Sequence, residues 1–271
     1  VLQFLNVYIK YMPDISIVIN CDTRPEKNTV DGLFSGCASE DFLTDGVFQK
    51  IRFLQGFDIE VIVFIDEHLP VPEQTLQYLR NMANVVVVRK HTDEPKFNDW
   101  NYWSALALCR GDIVMHFDQD SNAFTSSTDA VKELISLLDK YDYISYPSHW
   151  TPHAVHDPNY DYDWCSTRFF MCKRSTLDFT EIKKCLQDSD YLYGKYPASV
   201  RNPWTEHVIA LISKYTGNGV YYPPIDLSKI AIFSWGNYEK YTLRRLNELL
   251  YNEVVNFINS RGGIQYPNDI Y

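Results

Sequence analysis

The sequence predicts an α/β fold, a mostly parallel central sheet flanked by helices, with a helical appendage at the C-terminal end. Three observations predict it. Short β-branched runs alternate with single stretches of helical spacing, the order that gives right-handed crossovers and a doubly wound, largely parallel sheet. Three of those runs end in polar, acid-containing segments, Asp22-Thr23-Arg24, Asp66-Glu67 and Asp118-Gln119-Asp120; open α/β sheets bind their ligands at such strand ends. The chain has 271 residues, enough for one large α/β domain, or a domain plus a smaller appendage, with an ample core. No cofactor or disulfide is needed for folding.

Each element has its own signal. Ile15 to Asn20 is an uncharged β-branched run whose polar exit reaches Pro25, where regular structure stops. Residues 26 to 45, rich in Gly, Ser and acids, read as a long loop. Phe48, Ile51 and Leu54 lie at helical spacing ahead of Gly56, a helix stop. Glu60 to Ile65 is the second strand. Pro72 to Met82 reads as a helix, and Val85 to Val88 as a third strand leading to Arg89-Lys90-His91. Asp99 to Leu108 has helical spacing with Asp99 as N-cap. Ile113 to Phe117, entered from a Gly-Asp turn, is a buried central strand. Asp129 to Leu138 is an amphipathic helix, and Tyr143 to Tyr146 and Thr167 to Lys173 are strands. Trp204-Thr205-Glu206-His207 opens an apolar helix ending near Gly217, and Gly219 to Tyr222 returns as a strand. Leu243, Leu246, Leu250, Val254 and Phe257 form one face of a helix over 239 to 261, ending at Gly262-Gly263.

Composition excludes several function classes. Lys plus Arg number 25 against 35 Asp plus Glu, so a chain with net charge -10 is a poor partner for nucleic acid. A nucleotide remains compatible, because one local cation outweighs distant charge at screened distances. With no G-x-G-x-x-G and no Walker lysine motif, dinucleotide and P-loop readings fall away. The 20 Tyr and 6 Trp suit a groove that stacks sugars or bases, although most of these rings are expected in the core. The six cysteines show neither C-x-x-C nor zinc spacing and read as reduced, mostly buried thiols. No secretory signal and no bilayer-length apolar run is visible. The expectation is a cytoplasmic protein, with peripheral membrane association as a further option.

Asp118 and Asp120 carry the chemistry. Two carboxylates one residue apart at the end of a buried strand need a counter-ion, and a divalent cation with oxygen ligands is the natural one. The plainer alternative makes them the start of a polar loop, with Asp120 or Ser121 capping the next element. From Pro147 to Trp164 the chain is crowded with His, Pro, Asp and Tyr, a composition that favours function over filler. His153, His156 and Asp157 resemble a metal cluster, but the flanking Pro152 and Pro158 argue against a helix aligning them. Contact with an acceptor or the surface is the preferred reading there.

The order of these segments resembles the GT-A fold glycosyltransferases, above all the inverting family 2 group. The similarity spans roughly residues 14 to 224. It is carried by ISIVIN with its polar exit, EVIVFI ending in Asp66, WSALALCRGDIVMHFDQD, CSTRFFMCKRSTL, and WTEHVIALISKYTGNGVYYPP. The resemblance implies that Asp120 binds a Mn2+ or Mg2+ ion bridging the diphosphate of a nucleotide sugar, while Asp118 holds the ribose or shares the metal. It implies that Asp66 hydrogen-bonds the base, that Asn20, Asp22 and Arg24 line the nucleoside wall, and that Glu206 is general base toward an acceptor hydroxyl. The family commonly reads Glu-Asp where this chain reads Thr205-Glu206-His207. Counting back from Gly217 favours Glu206 without excluding His207, and Thr205 and Glu206 also suit a simple helix cap. No histidine follows His207, so Asp226 or water would supply a third metal ligand.

The implied organisation is an extension, 1–13, a GT-A catalytic domain, 14–228, and a C-terminal lid and helix, 229–271. The catalytic domain divides into a nucleotide-sugar half, 14–122, and an acceptor half, 123–228. Phe233 to Tyr238 reads as a lid near the donor, motivated by Trp235 and Gly236. The stripe on the last helix packs on the domain, or mediates dimerisation or docking on a membrane-bound enzyme. The expected activity is metal-dependent transfer of a sugar from a nucleotide diphosphate donor to a saccharide or other hydroxyl acceptor, with inversion. A nucleotidyltransferase with a similar cleft and a catalytically degenerate glycan-binding or scaffold subunit are the alternatives.

Overall fold

The computed structural model describes residues 12–21, 40–66, 71–82, 85–90, 105–118, 121–145, 165–166, 169–199, 201, 205–223, 229–234, 252 and 256. Its main sheet has seven strands: β1 (Ile15–Cys21), β2 (Ile59–Asp66), β3 (Val85–Lys90), β4 (Ile113–Asp118), β6 (Tyr143–Ser145), β7 (Phe169–Lys173) and β8 (Val220–Tyr221). Their order is β3-β2-β1-β4-β7-β6-β8. The first four run parallel, β7 is antiparallel to both neighbours, and β6 and β8 are parallel. The fold is thus α/β with a mostly parallel sheet, as expected, and a single reversed strand joins its two parts. Two further strands, β5 (Ser121–Thr125) and β9 (Ile230–Ser234), form a separate antiparallel ribbon.

Among the described residues the α-helices with defined bounds are α1 (Glu40–Phe53), α2 (Glu73–Asn81), α3 (Thr128–Ser136), α4 (Phe179–Gln187), α5 (Ser189–Lys195) and α6 (Thr205–Thr216). Residues alternate between the faces of the sheet. Odd-numbered positions such as Ile17, Ile19, Val61, Val63, Met115 and Phe117 join Val47 of α1, Leu54 just beyond it, Leu76 and Leu79 of α2 and Leu134 of α3 in the larger core. Even-numbered Val18, Ile62, Phe64 and Val114 join Phe170 and Cys172 of β7 and Ile209 and Ala210 of α6 in a second. Each fully buried Val, Leu, Ile or Phe contributes about 1.5–3 kcal/mol, so both faces specify the strand register.

Two expectations are corrected, and a third segment has its start described. α1 begins at Glu40, inside the segment read as loop, where a sequence rich in acids, Gly and Ser looks unstructured. Ser121 to Thr125 is a strand and not merely a polar loop. Phe233 and Ser234, the start of the stretch read as a lid, end β9 opposite Asn122 and Ser121. The Asp99 cap, the remainder of the lid and the apolar stripe of the last helix lie outside the described residues; within that helix, Asn252 and Asn256 are helical and exposed. α1 ends at Phe53, three residues before Gly56, which takes φ +96° in the turn that follows. Cys109, Cys165, Cys172 and Cys185 are free, buried thiols, and burial pushes Cys109 up to about 12. Among the described residues no helix is long and apolar enough to cross a membrane.

A polar clamp sets β4 at the amino end of the sheet. Ser16 Oγ donates to Glu60 Oε1 at 2.6 Å, and Gly111 N–H donates to Ser16 Oγ at 2.8 Å. Arg110 donates to the same carboxylate from its backbone at 2.6 Å and from Nε at 2.7 Å. Gly111 permits this approach, because a Cβ there would lie 2.6 Å from the Ser16 backbone nitrogen. Gly111→Ala is expected to cost about 1–3 kcal/mol through overpacking, read as a lowered midpoint in denaturant; an unchanged midpoint would show that the approach is not required.

Burial alone would push the Glu60 carboxyl up, but the Ser16 hydroxyl and the Arg110 backbone and guanidinium together hold it below the ordinary value of 4.5. A carboxyl depressed in the folded state stabilises the fold above its unfolded value and loses that contribution as pH falls through the folded one. Stability is therefore expected to drop as pH falls below 4.5. Glu60→Gln should flatten that acid limb in thermal unfolding, and an unaltered pH profile would remove Glu60 from it.

Candidate active site

Register brings the acid-bearing strand ends together. Asn20 pairs with Asp118 across β1 and β4 and with Phe64 across β1 and β2, so Asp66 lies two positions beyond Phe64 on the same edge, opposite Lys90. With a period of two, positions 20, 66 and 118 share the face of Val18, Ile62, Phe64 and Val114, against which Ile209 and Ala210 of α6 pack. The side chains of Asn20, Asp66 and Asp118 lie outside the described ones, as do Asp22, Arg24 and Asp120 entirely.

The first turn of α6 is tied to this same edge by a chain of contacts. β7 starts at Phe169, opposite Phe117, one residue before Asp118. Ser145 Oγ, at the end of β6, donates to the Phe169 carbonyl at 3.0 Å and accepts from Ser166 N–H at 2.9 Å. Cys165 N–H, one residue earlier, donates to the Glu206 carbonyl at 3.2 Å. Glu206 thus stands at the carboxyl edge of the sheet, on the side of the strand-end acids. Its charge reaches the Cys165 thiol, which burial pushes up, a hydrogen bond with Ser145 pulls partly back, and Glu206 raises further.

Of the two side chains weighed as base, Glu206 is the one open to solvent. His207 is 1% exposed, as is Thr205, whereas Glu206 is partly exposed. A proton acceptor must come within hydrogen-bond reach of a hydroxyl entering from solution. Enclosure therefore disfavours His207.

The acid couple sits at an elbow. Asp118 ends β4 in the main sheet and Ser121 begins β5 in the ribbon, with two residues between. The donor set suits a hard divalent cation, since both members are carboxylates and such ions take oxygen ligands. Ser121, next to Asp120, is 1% exposed and its Oγ has no hydrogen-bond partner among the described residues. Among the described residues no three His, Cys, Asp or Glu side chains gather at a metal position. His153, His156, Asp157, Asp226 and Trp235 lie outside the described residues.

Sequence reasoning passed over one buried polar group at the elbow. Lys50 of α1 is 0% exposed, and its Nζ lies 5.4 Å from the centroid of the Phe117 ring. The readable signal was a lysine at helical spacing between Val47 and Leu54, both buried.

No family model matches the sequence, and no curated protein matches it. Solved structures resemble the fold. A mannosyltransferase from Pyrobaculum calidifontis, in complex with GDP-Man and Mn2+, is 14% identical over 79% of this chain and 56% of its own, with a TM-score of 0.46. TarS of S. aureus is 16% identical over 62% of this chain and 49% of its own, with a TM-score of 0.40. The 4-diphosphocytidyl-2C-methyl-D-erythritol synthase of Anaerococcus prevotii is 15% identical over 77% of this chain and 86% of its own, with a TM-score of 0.40. The chain spans about half the length of the first two.

Proposed function

We propose that the chain is a metal-dependent glycosyltransferase that moves a sugar from a nucleotide diphosphate sugar to a hydroxyl acceptor with inversion. One observation carries the assignment: the ends of β1, β2 and β4 and the first turn of α6 meet at one edge and on one face of the sheet. Asn20, Asp22, Arg24 and Asp66 would hold the nucleoside. Asp120, with Asp118, would hold Mn2+ or Mg2+ against the diphosphate, Asp118 alternatively binding the ribose. A cation in that position supplies charge stabilisation to the leaving diphosphate. Glu206 would take the acceptor's hydroxyl proton as its oxygen attacks the anomeric carbon, while the bond from that carbon to the diphosphate oxygen breaks. A single in-line displacement of this kind inverts the anomeric centre. The division into a donor half, 14–122, an acceptor half, 123–228, and a C-terminal lid and helix, 229–271, belongs to the same proposal, as does use of that helix for dimerisation or for docking on a membrane enzyme.

Product analysis tests the assignment. Incubation with a panel of nucleotide sugars, MnCl2 and saccharide acceptors is expected to release nucleoside diphosphate. Release of pyrophosphate from a nucleoside triphosphate and a sugar phosphate would instead make the chain a nucleotidyltransferase. Absence of any nucleotide binding would leave a glycan-binding or scaffold subunit.

A further inference from the structure

We propose that Ser145 and Asp142 are positioning residues for Glu206: from the two ends of β6 they fix α6 along its axis and so set the place of the base at the carboxyl edge. The inference rests on the reading of Glu206 as general base. At the carboxyl end of β6, the fully buried Ser145 hydroxyl donates to the Phe169 carbonyl at 3.0 Å, lies 3.4 Å from the Ser166 carbonyl and accepts from Ser166 N–H at 2.9 Å. Ser166, held in this way, follows Cys165, whose N–H donates to the Glu206 carbonyl at 3.2 Å. Phe169 lies opposite Phe117, the residue before Asp118, so one hydroxyl refers Glu206 to the end of β4. Just before β6, Asp142 Oδ2 accepts from Ser213 Oγ at 2.6 Å and from Asn218 N–H at 2.9 Å. Gly217 leaves room for that carboxylate, because a Cβ there would run into it.

The two ties are matched in length. From Asp142 to Ser145 the strand rises about 10 Å, and from Glu206 to Ser213 the helix rises about 10 Å as well. Between them Ile209 and Ala210 pack in the same core as Tyr143. Apolar burial holds the helix against the sheet but is non-directional, so the hydrogen bonds are what fix its position along the axis. A slide of one residue would move Glu206 by about 1.5 Å. A misplacement of about 1 Å is enough to cost roughly 100-fold in rate.

Steady-state kinetics per folded molecule test this on the wild type, Glu206→Gln, Ser145→Ala, Asp142→Ala and Asp142→Asn. The assay follows release of nucleoside diphosphate in MnCl2 from the nucleotide sugar and saccharide acceptor that the wild type turns over fastest. Ser145→Ala and Asp142→Ala are each expected to lower kcat about 10–100-fold and leave the donor KM unchanged, the mark of an interaction realised only in the transition state. Asp142→Asn keeps one oxygen for both Ser213 and Asn218 and should recover most of kcat, a rescue that a general loss of stability would not give. Should Asp142→Ala fail to fold, Gly217→Ala, which displaces the carboxylate, carries the same expectation; should Ser145→Ala fail, Ser145→Cys carries it, since a thiol bonds more weakly. Loss of transfer in Glu206→Gln beside wild-type kcat in either folded alanine variant would overturn the positioning role and leave the base in place, as would a raised donor KM with unchanged kcat. Full transfer by Glu206→Gln, or none by the wild type, would remove the base reading and the positioning role with it.

Discussion

Glu206→Gln should bind the nucleotide sugar as tightly as the wild type and lose transfer by roughly 10²–10⁴-fold, the usual contribution of a positioned general base. The substitution keeps the shape and the hydrogen-bonding length of the side chain, so the start of α6 and the Cys165 N–H to Glu206 carbonyl bond should persist. What disappears is the carboxylate's capacity to accept a proton. The alternative base, His207, sits one residue further along, 1% exposed. His207→Gln is accordingly expected to disturb packing more than chemistry, with a lowered melting temperature and nearly unchanged kcat in the folded fraction. Full transfer by Glu206→Gln would shift the base to His207 or demand another mechanism. A loss of donor binding in that variant would assign Glu206 to the donor side instead.

Asp120→Asn should abolish the part of donor binding that depends on Mn2+, weakening it by at least about 100-fold, since even residues that only support a metal ligand cost 10–100-fold when replaced. An amide still offers one oxygen, but without the charge that offsets desolvation of a divalent ion. Asp118→Asn should weaken the same binding and, if Asp118 instead holds the ribose, should also weaken cation-free binding of the nucleoside. Donor affinities for both variants with Mn2+ and with EDTA separate these roles. Tight Mn2+-dependent binding retained in Asp120→Asn would refute its assignment as a ligand.

Much of this architecture was legible from local pattern. The apolar runs within β1, β2 and β4 are buried on both faces, so they read as near-continuous apolar strands with polar exits, and Asp118 ends β4 in the structure as in the pattern. The apolar spacing of α6 marked both its start at Thr205 and its close before Gly217. What escaped was non-local or camouflaged. β5 is stabilised by pairing with β9, over a hundred residues away, and nothing within SNAFT announces that partner. α4 and α5 were not anticipated, yet each carries a readable start: Asp178 accepts from Glu181 N–H at 3.0 Å, and Asp188 from Tyr191 N–H at 2.9 Å. Both are N-caps. Their apolar faces are short and rich in Tyr and Cys, so the periodicity is faint. Glu181 then holds the pair together, accepting from Tyr196 Oη at 2.8 Å and Lys195 Nζ at 2.9 Å.

At the site, the identity of the acids was legible and their convergence was not. Asp66 and Asp118 announce themselves as strand ends, but only the register shows that positions 20, 66 and 118 share a face, and only the route from β6 through Ser166 to Cys165 brings Glu206 to their edge. Lys50 was hidden for the opposite reason. A lysine is ordinarily a surface residue, and its burial beneath Phe117 becomes visible only once α1 is laid against the end of β4.

The central claim, that the acids ending β4 hold a cation that carries phosphate, is tested most directly by titrating the wild-type protein with UDP and with GDP, each in MnCl2 and in EDTA. At least one nucleoside diphosphate is expected to bind at least about 100-fold more tightly with Mn2+ present, a gap that closes when Asp120 is replaced by Asn. Binding of equal strength in EDTA and in Mn2+ would mean that the nucleotide is held without a cation, and would contradict the claim.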